Sequence, residues 1–379
     1  MEIRPTRAIV DLGAIAFNIQ SLRKRVGGGP RFMAVVKADA YGHGMVPVAR
    51  TALLAGADWL GVALLEEGVL LRKAGIKVPI LVLGEALPEG AGLFVQHNIT
   101  ATVCSPESLF ALNQAAERSD RKAAMHIKVD TGMGRIGLDP KDVLPFMEKA
   151  LSLKNIRVEG IFSHFSSVDE KEKGFSYQQL HQFKQVLAAL EGQGIHLPLK
   201  HFASSAATID FPEGYFDMVR PGISLYGVYP SAEVDHSVPL KPAMTLKTSI
   251  TFLKEVPPGT VLSYGRTFET QRKSRIATLP VGYGDGYPRL LSNHGEVLVA
   301  GRRAPVVGRV CMDMTLIDVT DIPEAKVGSE VILFGKQDNA EILVDEIAEK
   351  AGTISHEILC GITKRVPKEY LDGPLEEDP

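Results

Sequence analysis

The stretch Phe32-Met33-Ala34-Val35-Val36-Lys37-Ala38-Asp39-Ala40-Tyr41-Gly42-His43-Gly44 runs from five apolar residues through a lysine into a turn marked by glycines. An apolar run of that length, bounded by turn signals, reads as a short strand buried on both faces, and 45–54 beyond it carries a helical pattern. Lys37 therefore stands at the carboxyl end of a strand. In an α/β barrel every strand points its last residues at one rim, where catalytic groups collect. A lysine there can lose its proton by desolvation and attack an aldehyde to give a Schiff base.

Outward from this stretch the same rhythm recurs. Upstream, Asp11 can cap a helix whose apolar residues Leu12, Ile15, Ile19, Leu22 and Val26 fall at three- and four-residue steps, until Gly27-Gly28-Gly29-Pro30 stops it. Downstream, 59–64, 80–83, 101–104, 125–129, 158–162, 201–203 and 218–220 read as seven further strands. Helical segments lie between most of them. Ser105-Pro106-Glu107 and Asp139-Pro140 are helix starts, and Leu180, Phe183, Leu187 and Leu190 mark an apolar stripe. Eight such units predict an α/β protein with an N-terminal (β/α)8 barrel, since parallel neighbours need a crossover and the sheet closes at eight.

The character changes after Tyr229-Pro230. Pro230, Pro239 and Pro242 sit in a polar, helix-poor linker, and 244–252, 261–264, 276–281, 297–300, 306–310, 315–319 and 331–334 are strand-like, with one helix at 344–350. The expected division is a barrel over 1–235 and a C-terminal mostly-β domain over 236–379, whose acidic end, 373–379, is expected to fray.

Composition narrows the function. The chain has 379 residues, 45% of them hydrophobic, enough for a large core. A net charge of −3 with both signs mixed gives no nucleic-acid footprint and no membrane-surface patch. Cys104, Cys311 and Cys360 are odd in number and lack metal spacing, which with the absence of an apolar signal segment predicts a cytoplasmic protein and no metal site.

Against the barrel, the polar residues at strand ends make a set. Lys37 ends the first strand, Lys128-Val129-Asp130-Thr131-Gly132-Met133-Gly134-Arg135 follows the fifth, Ser163-His164 the sixth, Ser204-Ser205 the seventh and Arg220-Pro221-Gly222 the eighth. Barrels commonly bind phosphate after strands seven and eight, where Ser205, Gly222 and the amide of Ile223 fall. Singly, His164 reads as a satisfied core histidine, Arg220 as a paired surface arginine and the glycines as turn formers. Five polar groups converging on one rim carry more weight.

The segment V-V-K-A-D-A-Y-G-H-G resembles the cofactor-attachment signature of alanine racemases, and K-V-D-T-G-M-G-R-I-G, S-H-F, M-V-R-P-G-I, L-S-Y-G, G-Y-G-D-G and C-M-D-M recur in that family's order along the whole chain. The resemblance implies a pyridoxal phosphate enzyme with a barrel and a β domain, working as a head-to-tail homodimer with shared sites. It implies interconversion of L- and D-alanine for peptidoglycan synthesis. Lys37 matches the Schiff-base lysine and base on one face of the substrate Cα, and Tyr264 the base on the other face, from the partner subunit. Arg220 matches the arginine at the pyridine nitrogen, with His164 beside it as a second tuner. Tyr41, Ser205, Gly222 and Ile223 match phosphate contacts. Arg135 and the backbone of Met312 match the substrate-carboxylate site, with Asp313 beside it. Lys128 matches a position that can be carbamylated to hold Arg135, and Tyr283 and Arg289 line the approach to the site.

One segment departs from the pattern. Ile354-Ser355-His356-Glu357 places His356 where the family usually has a phosphate-binding tyrosine. If His356 takes that role, its smaller ring leaves room beside the substrate Cβ and serine is better tolerated. A broader alanine/serine racemase is thus one alternative. A decarboxylase of the same architecture is another, although Cys311-Met312-Asp313 and Arg220 do not match its usual groups. A non-catalytic pyridoxal phosphate carrier is the third, and it would not need Tyr264.

Overall fold

A computed structural model describes residues 4–371, so the acidic segment 373–379 lies outside the described residues. Two compact units divide the chain: Ala14–Ala40 with Met45–Lys241, and the described part of Met1–Gly13 with Tyr41–Gly44 and Pro242–Pro379.

The first unit is the barrel. After an N-terminal strand, β1 (Arg7–Asp11), come β2 (Arg31–Val35), β3 (Trp59–Val62), β4 (Ile80–Glu85), β5 (Thr100–Val103), β6 (Ala123–Lys128), β7 (Ile156–Phe162), β8 (Leu199–His201) and β9 (Met218–Val219). β2 to β9 pair in chain order, all parallel, and β9 returns to β2 through Arg31↔Met218 and Phe32↔Val219. The eight expected strands thus close as a barrel. Met33, Trp59, Leu81, Phe162, Leu199 and Met218, from six of the strands, pack as a buried cluster. The helix starts are local and legible: Pro106–Arg118 begins with Ser105 Oγ accepting from the Ser108 N–H at 3.3 Å. In Gly174–Gly192 the buried stripe runs through Leu180, Phe183, Val186 and Leu190, with Val186 where Leu187 was expected.

The second unit carries a sheet ordered Arg302–Pro305, Glu296–Val299, Glu330–Gln337, Met244–Ser249, β1 and Lys368–Leu371, and a three-stranded sheet of Phe252–Val256, Ser274–Leu279 and Thr315–Asp318. Four expectations are corrected. Residues 1–13 do not fold with the barrel, because β1 pairs antiparallel with Met244–Ser249 (Ile9↔Thr245) and parallel with Lys368–Leu371 (Ile9↔Glu369), and the break falls at 241/242 rather than 235/236. The alternation that buries Ala8 and Val10 marks a half-buried strand but cannot name its partner. The strand expected at 306–310 lies at Arg302–Pro305, and a second helix, Ser355–Cys360, was not expected; six residues are too few to show a 3.6-residue period.

Candidate functional site

In the barrel unit the strand-end residues surround one buried cation. Arg220, just beyond β9, is 4% exposed. Its Nη1 donates to His201 Nδ1 at 2.8 Å, and its Nη2 donates to the carbonyls of Ser163 (2.8 Å) and Phe202 (3.1 Å) and meets His164 Nδ1 at 3.3 Å. A guanidinium only donates, which settles the tautomers down the chain. His201 must accept at Nδ1, so its Nε2–H donates to His126 Nδ1 at 2.8 Å. His126 then keeps its proton on Nε2, a buried atom with no partner among the described residues. Burial, then Arg220, hold both imidazoles well below their usual pKa, His126 at about 3, so both are neutral.

Arg220 has no ion pair with a carboxylate among the described residues, and burial alone lowers it to about 9. Lys128, at the end of β6, is also 4% exposed and shares the Phe162 ring with Arg220, their charges 5.3 and 5.2 Å from its centre. Burial first, then Arg220 and Arg135, bring Lys128 down to about 8. His164 is depressed by burial, Arg220, Lys128, Arg135 and Lys37 in that order, so its ring is neutral and cannot serve as a second cation. Two buried cations are thus gathered at this rim, neither in an ion pair among the described residues, with Asp130 the carboxylate that acts on Lys128. Arg135 is exposed, on a loop whose turn is made by Asp130 Oδ1 accepting from the N–H groups of Gly132 (2.9 Å) and Gly134 (3.0 Å). Both glycines have positive φ, 128° and 70°.

Between β8 and the loop after β9 lies a set of hydrogen-bond donors. Ser205 Oγ accepts from Gly222 N–H at 2.8 Å and from Ser224 N–H at 3.3 Å. Ile223 opens a short 3-10 turn, which leaves its N–H outside the turn's own bonds, and the buried Ser224 hydroxyl is unpartnered among the described residues. An anion with several acceptor oxygens fits this cradle, and the cations nearby favour it; pyridoxal phosphate, an anionic phosphate joined to an aldehyde, suits both the cradle and the rim lysine.

Lys37 itself begins a left-handed turn. Ala38, Asp39 and Ala40 have φ/ψ of 52/53, 52/45 and 54/52°, and Tyr41 has φ 52°. For residues with a Cβ each such position costs roughly 1–2 kcal/mol, so neighbouring groups must hold the turn.

In the β-rich unit the expected residues form two further sets. Tyr41 and His356 bring their ring centres to 5.8 Å, tilted by 49°. Gly42 allows a close backbone approach there, since a Cβ would lie 2.2 Å from the Leu359 carbonyl oxygen. Burial and Cys360 raise the Tyr41 phenol well above its usual value. Tyr264, Cys311, Met312 and Asp313 line one shallow cavity, Tyr264 being 72% exposed. Ser263, at φ 63° with its Oγ bonded to the Arg309 carbonyl at 2.7 Å, turns Tyr264 outward. The Tyr283 and Gly284 N–H groups bond the Cys311 and Met312 carbonyls at 3.0 and 2.9 Å. Asp313 pairs with Arg365 at 2.7 Å, an arginine that also reaches the buried Asp285. Arg289 starts a separate 3-10 turn and does not line that cavity. His126, His201 and Arg365 went unread in the sequence, since nothing local to them distinguishes them from core or surface residues.

An eight-stranded parallel barrel bearing a rim lysine among buried cations, joined in one chain to a β-rich unit, defines a two-unit lysine-centred barrel enzyme. Family models agree in detail: alanine racemase, N-terminal domain, matches residues 10–230, and alanine racemase, C-terminal domain, matches 243–370. The alanine racemase of Halothermothrix orenii is 53% identical over 97% of both chains, and alanine racemase 2 of Caldanaerobacter subterraneus subsp. tengcongensis is 48% identical over 98% of this chain and 96% of its own. Among solved structures, the alanine racemase of Clostridium difficile 630 superposes with a TM-score of 0.93 at 39% identity, covering 98% of this chain and 97% of that one. That of Bacillus anthracis with bound L-Ala-P gives 0.92 at 38%, covering 98% and 96%. The chain belongs to the alanine racemase family, whose members are isomerases. Among the described residues no helix is long and apolar enough to cross a membrane.

Proposed function

We propose that this protein interconverts L- and D-alanine with pyridoxal phosphate carried on Lys37, as a cytoplasmic head-to-tail homodimer supplying D-alanine for peptidoglycan. The observation that carries the reading is the rim lysine near the buried Arg220 and Lys128, with an amide-lined cradle, in a chain of this family. Ser205, Gly222, Ile223, Tyr41 and His356 would hold the phosphate, and Arg220 the pyridine nitrogen. When bound, the cofactor supplies an electron sink that makes a substrate Cα–H acidic. Lys37 takes the Cα proton on one face, and Tyr264 of the partner subunit delivers one to the other. Arg220, anchored by His201 and two carbonyls, stays a donor and does not release its proton. Arg135 and the Met312 N–H of the partner subunit bind the substrate carboxylate, with Asp313 beside them and Tyr283 and Arg289 along the approach.

The test is L-alanine in heavy water with purified protein, followed by NMR and chiral chromatography. D-alanine carrying deuterium at Cα supports the reading. A borohydride-trappable adduct on Lys37 with no exchange on any amino acid would leave a carrier, and carbon dioxide from L-lysine would mean a decarboxylase.

Lys128 is proposed to be carbamylated, because a carbamate forms from the neutral amine and would set a negative charge against Arg135 and Arg220. Since the folded amine sits at about 8, below its usual value, its neutral fraction grows as pH rises through that region. Incorporation of labelled carbon dioxide should climb between about pH 6 and 9 and vanish in Lys128→Ala. A flat profile would count against it.

A broader alanine/serine specificity is favoured by one observation, the His356 ring packed beside Tyr41. His356→Tyr should then lower kcat/KM for serine relative to alanine by about 10-fold, the scale of one or two methylenes of pocket space. An unchanged ratio removes His356 as the determinant.

A further inference from the structure

Lys37 rides on backbone that the rest of the barrel unit must hold in an unfavourable conformation. Ala38, Asp39 and Ala40 all have φ between 52° and 54° without a glycine among them, and Ala38 is exposed, so packing alone does not hold it. What meets Ala38 is a carboxylate: its N–H donates to Glu67 Oε1 at 2.6 Å. The other oxygen, Oε2, accepts from Ala63 N–H at 2.8 Å and Leu64 N–H at 3.1 Å. Glu67 belongs to the helix Leu65–Lys73 that follows β3, and β3 pairs with β2, the strand leading to Lys37. One side chain therefore ties the carboxyl ends of two neighbouring strands through three backbone N–H groups. Beside it Val36 N–H bonds the Gly61 carbonyl at 2.8 Å, and past the turn Asp39 Oδ1 accepts from Met45 N–H at 2.8 Å.

We infer that Glu67 is a positioning residue, which keeps the left-handed turn formed by fixing the Ala38 N–H and so holds Lys37 in register at the rim. This rests on the reading of Lys37 as the cofactor lysine. Three donors need acceptors on both oxygens, and a glutamine offers one oxygen and an N–H₂ that repels them. Without the clamp, Ala38 leaves the left-handed region, disfavoured roughly 10-fold or more for a residue with a Cβ. Glycine carries no such penalty, so Ala38→Gly should make the clamp dispensable.

Wild type, Glu67→Gln, Ala38→Gly and the double variant are compared by amide hydrogen exchange at residue 38 of the cofactor-free protein. The rate of the Lys37 adduct with pyridoxal phosphate, trapped with borohydride and located by peptide mass spectrometry, is measured alongside, as is the melting temperature. Glu67→Gln is expected to speed exchange and slow the adduct by about 10-fold with the barrel still folded, and the double variant to recover the adduct rate. Wild-type values in Glu67→Gln, or a slowed adduct that Ala38→Gly does not restore, overturn the inference while leaving Lys37 as the cofactor lysine. If wild type itself forms no adduct on Lys37, the reading of the site fails and the inference falls with it.

Discussion

Lys37→Ala is expected to abolish racemisation, with a fall of at least about 10⁴-fold, because under the proposed function the change removes both the nucleophile that carries the cofactor and one of the two bases. A positioned general base alone contributes about 10²–10⁴-fold. The fold should survive. Lys37 is only half-buried, and the turn after it is fastened by the Ala38 N–H and the Asp39 carboxylate, neither of which the substitution touches. The decisive comparison is chiral chromatography together with borohydride trapping: no D-alanine and no labelled peptide from the variant, at an unchanged melting temperature. Activity within about 10-fold of wild type would mean that some other group serves the substrate.

Tyr264→Phe should lower racemisation by about 10²–10⁴-fold, and asymmetrically. One proton comes and goes on each face of Cα, so a variant lacking the phenol keeps the face served by Lys37. One enantiomer should still exchange its Cα hydrogen with heavy water while the other does not. Removing the hydroxyl leaves the chain's own architecture alone, since Tyr264 is 72% exposed and its hydroxyl makes no hydrogen bond within the described residues. Equal loss of exchange from both enantiomers would show that Tyr264 is not the second base. Because Tyr264 is proposed to act in the partner subunit's site, mixing it with Lys37→Ala protomers should also regenerate one intact site per heterodimer.

The barrel was readable because most of its strands hold a short apolar run bounded by turn signals, even though β7 includes Arg157 and Glu159 and β8 includes Lys200 and His201. Its rim was readable from position: Lys37, Lys128, His164, Ser205 and Arg220 lie at, or within a few residues past, the carboxyl ends of strands, and strand direction points those ends at one rim. The β-rich unit was less legible. Its strands pair across long separations, so the apolar 306–310 draws the strand reading while the observed strand is the Arg-rich Arg302–Pro305, fixed by its pairing with Glu296–Val299, and the helix Ser355–Cys360 is shorter than two turns.

Local pattern was thus enough for the fold class, the count of barrel strands and the residue types at the rim, because buried strands and helix caps are written in adjacent residues. Tertiary contact alone assigned β1 to the sheet of the β-rich unit, aligned Arg220, His201 and His126 into one chain of neutral imidazoles ending on a cation, and joined Glu67 to Ala38. The left-handed turn at 38–41 is the sharpest case. Ala-Asp-Ala-Tyr contains no glycine, and only Asp39 is of a type that visits the left-handed region with any frequency, so local sequence does not specify four such residues in a row; the acceptor that Glu67 offers to the Ala38 N–H comes from the next β/α unit.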